Sequence, residues 1–372
     1  MSKNQVIGHE TIRQRFNTSA ERGRLAGTYL FLGPDGVGKR TFALNLAEAI
    51  LCEANETKTL EPCGACSGCL QVRNQTHSDL LLVSKPKDKN VLPLDLFIGR
   101  STHRRREGLV YEIGMKPFRG GFRIAIIDDA DYFNQESANC LLKTLEEPPP
   151  KSLLILLGTS QQRQLHTIVS RSQLVRFQSL TPSEIVQVIE QKQLLESMET
   201  NQPVEQLASI AEGSVSRAIA LANPETFEFR TLLFQRLASG DPHANEFSKA
   251  VVAFAEASGK EGYRRRPRLV LAGELAVEFF RSVYLQLTGV ESNAAIEPDV
   301  ENLVNAVAST FSQYPDEGAI RLGRCIDRTG EMQFHSTTNA QFLNVVESWL
   351  VDIGRLLRGE SVSTGKVLSG TI

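Results

Sequence analysis

A strand-like run, Thr28 to Leu32, leads straight into Gly33-Pro34-Asp35-Gly36-Val37-Gly38-Lys39, and a helical stretch follows in which Phe42, Leu46, Ala49 and Ile50 share one face. Strand, glycine loop, helix restricts the fold more than any other feature of these 372 residues. The spacing Gly33-x-x-x-x-Gly38-Lys39 matches a P-loop up to its last position. In such a loop the backbone N–H groups surround phosphates, the helix N-terminus adds its dipole, and the lysine reaches the outer phosphates. Gly33, Gly36, Gly38 and Lys39 are therefore candidate nucleotide-binding residues. The hydroxyl that holds Mg²⁺ belongs directly after the lysine, but Arg40 stands there and Thr41 comes one place late. A cation at the metal-holding position weakens Mg–nucleotide binding. The competing reading of the motif is a purely structural glycine turn.

Directly after that helix come Cys52, Cys63, Cys66 and Cys69. Zinc favours four soft ligands in a tetrahedron; Cys63-x-x-Cys66-x-x-Cys69 supplies three from one tight turn, and Cys52 the fourth. Gly64 and Gly68 let that turn close. Unrelated small core residues are the alternative, and the strict spacing beside Pro62 suits a core poorly. Cys140 and Cys325 stand apart and are expected to be buried thiols, so no disulfide framework is implied.

The bulk composition is that of an ordinary soluble protein, 41% hydrophobic with a formal net charge of -2. A chain of this length is expected to form about two or three domains. The start MSKNQVIGHE has no apolar h-region and no apolar run reaches bilayer length, which predicts a cytoplasmic protein without a membrane role. In that compartment a cysteine cluster binds metal more readily than it oxidises. Nucleic-acid contact would need local patches. His103-Arg104-Arg105-Arg106 and Arg264-Arg265-Arg266-Pro267-Arg268 qualify, with solvated loops as the plainer reading.

Strand-like and helical runs alternate through the first half, the pattern of an α/β parallel sheet flanked by helices. Further strands are expected at Leu80 to Val83, Arg123 to Ile127, Leu153 to Leu157 and Leu174 to Phe177. A helix from about Gln135 to Glu147 buries Ala138, Leu141, Leu142 and Leu145 and ends at Pro148-Pro149-Pro150. Beyond Phe177 the strand signal stops. Thr181-Pro182-Ser183-Glu184 reads as a capped helix start, opening a small helical unit that includes Arg217 to Ala222. The remainder is helical by period, with Leu269, Ala272, Leu275, Phe279 and Val283 on one stripe and Phe342, Val345, Val346, Trp349 and Leu350 on another. The expected domains are 1–177 with a zinc-binding insertion at 52–69, a helical lid at 178–224, an all-α collar at 225–360 and a flexible tail at 361–372.

Arg123-Ile124-Ala125-Ile126-Ile127-Asp128-Asp129 looks like a Walker B strand, with Asp128 set to hold the metal through water. Active ATPases of the related class carry Glu after that Asp. Asp129 is one methylene shorter, and a displacement of about 1 Å can cost orders of magnitude in rate.

Asp128-Asp129-Ala130-Asp131, then Ala138-Asn139-Cys140-Leu141-Leu142-Lys143-Thr144-Leu145-Glu146-Glu147-Pro148-Pro149, then Ser170-Arg171-Ser172, together with the four cysteines, resemble the AAA+ clamp-loader subunits of bacterial DNA polymerase III, and among them the delta-prime type. His77-Ser78-Asp79 resembles a His-Pro-Asp frequent in that type. The likeness covers roughly residues 5 to 222 in specific motifs. It implies a ring-like assembly that uses ATP to open a sliding clamp and place it on primed DNA, with gamma/tau-type ATPases and a delta-type subunit as partners. Ser-Arg-Cys in that family sits at a subunit interface, where the arginine reaches the ATP of the neighbouring motor; Arg171 matches that arginine, with a surface salt-bridge partner as the competing reading, and Ser172 replaces the cysteine. Thr159 matches the polar sensor position. The lid arginine that senses the γ-phosphate in cis is matched only by Arg217, one position late, about a hundred degrees around a helix. The stretch around Gly99 to Pro117, which contains the basic run, reads as an insertion to which the resemblance attaches no role. The resemblance thus implies a largely non-hydrolysing stator with structural zinc, weak Mg–ATP binding of its own, and ATP held in a neighbour. The alternatives are an ATP-hydrolysing gamma/tau-type motor, and a stand-alone zinc or nucleic-acid module.

Overall fold

The β-branched and leucine-rich runs of the first half form one five-stranded, all-parallel sheet. In this computed structural model, residues 6–55, 61–100, 106–119, 121–196, 198–200, 202–242, 245–259, 262–290, 297–336 and 342–362 are described. In chain order the elements are α1 (Glu10–Glu21), β1 (Thr28–Leu32), α2 (Lys39–Ile50), α3 (Ser67–Arg73), β2 (Leu80–Val83), α4 (Asp95–Ile98), α5 (Leu109–Ile113), β3 (Arg123–Ile127), α6 (Gln135–Glu146), β4 (Ser152–Gly158), α7 (His166–Val169) and β5 (Gln173–Arg176). Helices follow: α8 (Pro182–Lys192), α9 (Val204–Ile210), α10 (Val215–Ala222), α11 (Pro224–Ala238), α12 (Asn245–Glu256), α13 (Gly262–Thr288), α14 (Pro298–Thr310), α15 (Pro315–Ser336) and α16 (Phe342–Arg358). The chain divides into two compact units, residues 1–197 with 202–220, and residues 198–201 with 221–372.

In the first unit the strand order is β2-β3-β4-β1-β5, so β4 separates the strand before the glycine loop from the strand that ends at Asp128. Alternation assigns the faces. Tyr29, Phe31, Ile124, Ile126 and Ile155 pack with Phe16 of α1 and Phe42 and Leu46 of α2. Leu30, Leu32, Ala125, Ile127 and Leu154 pack with Phe97, Leu109, Ile113, Leu141 and Leu145 on the other face. Because β1, β3 and β4 are covered on both sides, their runs are apolar without interruption, as parallel central strands require. α4 and α5, within or beside the segment read as an insertion, supply part of this second core, since Phe97, Leu109 and Ile113 are buried.

Helix termini follow their sequence signals. Asn134 and Ser137 form a capping box at α6, as Thr181 and Glu184 do at α8 with Pro182 at its first position. In α6, Thr144 takes a buried place while Leu142 is only half-buried, and Cys140, expected inside, is also half-buried and donates to the Ser137 carbonyl at 2.9 Å. The fifth strand runs one residue earlier than the apolar pattern suggested, and α10 starts two residues before Arg217. A separate small core of Leu180, Ile185, Ile189, Ala208, Ala211 and Ala218 holds the helices after β5 together.

Among its described residues the second unit is built of helices and their connections, with no strand. Leu269, Ala272, Leu275, Phe279 and Val283 of α13 are fully buried, and α13 packs against α11, α12, α14 and α15. Trp349 of α16 is buried and donates through Nε1 to Thr329 Oγ1 at 3.1 Å. Arg230 is buried too, and its charge is met by Glu278 at 2.9 Å and Glu297 at 2.5 Å. The basic run at 264–268 is partly absorbed internally: Arg265 pairs with Glu256 at 3.1 Å and Arg268 with Glu225 at 2.8 Å. Of the other basic run, residues 103–105 lie outside the described residues, as does 363–372 of the expected tail.

Candidate functional site

The glycine loop begins where the Gly33 amide donates to the Thr159 carbonyl at 3.1 Å, tying the ends of β1 and β4 together. A Cβ on Gly33 would lie 2.5 Å from the Phe177 carbonyl oxygen, so only glycine fits. Gly36 and Gly38 have φ of 77° and 100°, left-handed values that a side chain would strain. Lys39 opens α2 with its ammonium inside the loop, donating to the Gly33 carbonyl at 2.6 Å and the Pro34 carbonyl at 2.8 Å. His9, at the start of α1, braces the loop through Nε2, 2.8 Å from the Val37 carbonyl.

Beside the lysine, Arg40 reaches across to the end of β3. Its Nη1 lies 2.5 Å from Asp128 Oδ2, a charge-assisted bond between residues 88 positions apart. The carboxylate set to hold a metal is thereby held by a side chain, and Thr41 points from an exposed position one residue further round the helix. Asp129 sits in the left-handed region at φ 59° and turns its carboxylate to the Lys85 amide, 3.1 Å away. Burial pushes the Asp129 carboxyl up, the Lys85 amide opposes this, and neighbouring Asp128 adds to the rise.

Thr159 donates its hydroxyl to Asp131 Oδ2 at 2.6 Å, and Gln164 donates to the same carboxylate. With its proton committed there, the hydroxyl offers a phosphate only lone pairs. Asp131 stands in the acidic motif, but its grip on Thr159 joins residues 28 positions apart and carries no local sequence signal.

A cavity of about 390 Å³ opens over the loop, lined by Asp35 to Thr41, by the charged Asp128 and Lys192, and by apolar residues that include Val6, Ile7, Leu180, Val188 and Leu194. Charged groups at the loop together with apolar lining suit a phosphorylated ligand with an apolar ring. Ser216 lines this cavity; Arg217 instead donates to Glu212 at 2.9 Å. Arg171, just after α7, lies elsewhere on the first unit. Its Nε and Nη2 meet one oxygen of Glu146 at 2.6 and 2.5 Å, and Nη1 donates to the Thr167 carbonyl at 3.1 Å.

The four cysteine sulfurs all lie within 4.8 Å of one another. Cys52 and Cys66 are 3.8 Å apart and Cys63 and Cys69 3.9 Å. A tetrahedron with Zn–S bonds of about 2.3 Å has edges of about 3.8 Å, so the donor set fits zinc in number, softness and size. The Cys63, Cys66 and Cys69 amides point at the sulfurs of Cys52, Cys63 and Cys66 at 3.4, 3.3 and 3.4 Å. Burial pushes the Cys66 thiol up, but hydrogen bonds from the Cys69 amide and the other thiols outweigh it and bring it down to about 7. Gly68 admits no side chain, since its Cβ would lie 2.5 Å from the Leu51 carbonyl oxygen. Arg73 of α3 pairs with buried Glu48 of α2 at 2.7 Å and anchors the knuckle to the helix behind the loop.

His77 and Asp79 are structural. Asp79 is buried and accepts the Phe118 amide at 2.8 Å and Arg123 Nη1 at 3.4 Å. His77 accepts the Asp79 amide on Nδ1 at 3.0 Å, and burial holds its ring below the usual range.

Residues 8–181 match the family described as DNA polymerase III, delta subunit. Over this stretch, just under half of its length, the chain is similar to the clamp-loader subunits of bacterial DNA polymerase III. Curated relatives agree: it is 30% identical over 238 residues to DNA polymerase III subunit tau of Escherichia coli K12, which covers 63% of this chain and 33% of that protein. It is 34% identical over 167 residues to DNA polymerase III subunit delta' of Bacillus subtilis 168, covering 45% of this chain and 46% of that one. The chain thus spans about a third to a half of the relatives it matches. A gamma subunit-related protein of Thermotoga maritima superposes over 94% of this chain and 99% of its own with 16% identity and a TM-score of 0.39, too loose a likeness to bear weight. Parallel sheet, glycine loop and following helix together form a P-loop type of α/β architecture. Among the described residues, no helix is long and apolar enough to cross a membrane.

Proposed function

We propose that this chain is a delta-prime-type stator of the clamp loader: a largely non-hydrolysing AAA+ subunit that lends Arg171 to the ATP of a neighbouring gamma/tau-type motor while the complex places a sliding clamp on primed DNA. The Arg40–Asp128 pair carries this reading, because it fills the position from which a metal would polarise the γ-phosphate. Asp129 and Thr159, each engaged by another partner, add to it. Arg171 is suited to act in trans, since its guanidinium is partly exposed and preset by Glu146 on the first unit, away from the residues lining the chain's own cavity. An incoming triphosphate would compete with that carboxylate for a planar, permanently charged donor. Cys52, Cys63, Cys66 and Cys69 hold a structural zinc, residues 178–224 act as the lid, and 225–360 as the collar that joins the ring in the cytoplasm.

The test is ATP turnover of the purified chain alone and mixed with a gamma/tau-type motor, each with Arg171 and with Arg171→Ala. The expected result is an inert isolated chain and a mixture in which the substitution lowers turnover on the order of a thousandfold, the lower range for a trans arginine. Brisk solitary turnover with primed DNA would instead establish the second reading, a gamma/tau-type motor, which the identity to tau and the intact Gly33 to Lys39 spacing favour.

A further inference from the structure

The loop of this chain keeps nearly everything that holds a nucleotide and lacks the one feature that admits its metal. Gly36 and Gly38 retain the left-handed backbone, Lys39 remains within the loop, and the cavity of about 390 Å³ joins these groups to an apolar wall. The residues do not fit Mg²⁺. A hydrated divalent ion needs a small oxygen donor after the lysine and a free carboxylate opposite, whereas here Arg40 occupies the first position and neutralises Asp128 at 2.5 Å.

From this misfit we infer that the site binds a nucleoside di- or triphosphate as the metal-free anion, with the Arg40 guanidinium standing where other P-loops hold Mg²⁺. The chemistry is consistent from each side. A guanidinium is permanently charged, and its five donors are sufficient to keep a bond to Asp128 while offering others to phosphate oxygens. Lys39, held by the Gly33 and Pro34 carbonyls and paired at 3.5 Å with the exposed carboxylate of Asp35, is the second cation, and the first turn of α2 supplies N–H groups. Mg²⁺ on the ligand removes two negative charges and brings a hydration shell that must share space with Arg40, so the metal complex loses attraction and gains a steric conflict. Occupancy without metal also gives the loop a use that needs no hydrolysis. A bound phosphate draws Lys39 out of its carbonyl contacts, in the loop whose Gly36 carbonyl accepts the Val215 amide of α10 at 3.1 Å. Ligand binding is thereby coupled to the helices after β5 within the same unit.

This inference rests on the stator reading, yet the two fail separately. Calorimetric titration of the full chain with ADP and with ATP, each in excess EDTA and in excess MgCl₂, reads binding and not turnover. The wild-type chain is expected to bind both in EDTA, and no more tightly in MgCl₂. Arg40→Thr, which restores a hydroxyl directly after the lysine, is expected to invert the order, so that Mg²⁺ tightens ATP by about tenfold or more. Lys39→Ala should weaken binding in either medium, and circular dichroism checks that both variants are folded. Metal-dependent binding by the wild-type chain overturns the inference, as does an absence of nucleotide binding in both media or an Arg40→Thr variant with unchanged metal dependence. Metal-free binding together with hydrolysis that needs no Mg²⁺ would leave the inference standing and remove the stator.

Discussion

At the glycine loop, Asp128 meets a guanidinium from its own chain at 2.5 Å; some tens of residues along, four thiols converge with one another and with backbone amides as neighbours. Both places belong to the first unit, and in each an acidic group, the Asp128 carboxylate or the cysteine thiols, favours a cation. The difference lies in where the cation comes from. Asp128 is satisfied by a covalently attached charge, so the loop is complete without an ion. Four sulfurs drawn together are stable as thiolates only if a positive charge from outside the polypeptide joins them, because gathered like charges repel. One donor set has been closed by sequence and the other left dependent on its surroundings.

The largest test of this contrast is Cys66→Ser. It should abolish stoichiometric zinc in elemental analysis, forfeiting metal-binding free energy on the order of 10 kcal/mol at neutral pH, and lower the melting temperature of the sheet-containing unit. A zinc-free wild-type chain that melts like the metal-loaded one would dissolve the distinction. Next in size is Gly68→Ala, whose new methyl would press on the Leu51 carbonyl; a loss of about 1–3 kcal/mol in urea unfolding is expected, with weaker zinc retention against a chelator. A smaller effect belongs to the loop. In a double-mutant cycle of Arg40→Ala and Asp128→Ala, the partly exposed pair should couple by about 0.2–1 kcal/mol, and zinc content should not change. A zero coupling energy would mean that the guanidinium does not complete the carboxylate in solution.

Smallest is the response of Asp129. Its carboxyl lies above the ordinary aspartate range when folded, so the native state favours the protonated form, and stability falls as pH climbs from the unfolded value past the folded one. Asp129→Asn mimics that neutral form and retains an acceptor for the Lys85 amide. It should raise the melting temperature at neutral pH, with the gain vanishing once the pH drops below the ordinary aspartate range. A gain that persisted unchanged into acid would assign the effect to something other than ionisation.

How much was legible in the chain follows the range of the forces involved. β1, β3 and β4 were readable because central parallel strands must be apolar on both faces, and Ile124 to Ile127 or Leu153 to Leu157 have few other uses, while β2, at one edge, is readable from its unbroken apolar run Leu80 to Val83. β5, at the edge and half-exposed, shifted by one residue because the apolar run continues into buried Phe177 beyond the last ladder position. α4 and α5, four and five residues long, are shorter than any helical period can reveal, which is why the segment beginning at Gly99 looked like an insertion and not a source of core. The cysteine spacing announced its cluster because the ligands are close in sequence. The partners that decide the loop's chemistry were hidden for the opposite reason: Arg40 with Asp128, Thr159 with Asp131 and Arg171 with Glu146 are brought together by the sheet and its connections, over separations of 88, 28 and 25 residues.

The sheet order also acts as a ruler. With β4 lying between them, β1 and β3 are two inter-strand spacings apart, on the order of 10 Å. A hydroxyl on the short arm of serine or threonine ends well before the far carboxylate, and a hydrated ion has to bridge the remainder. Arginine is the longest cationic arm the genetic code offers, and from the first turn of α2 it spans that gulf unaided. The width of one intervening strand thus decides which side chain can make this pocket independent of dissolved magnesium.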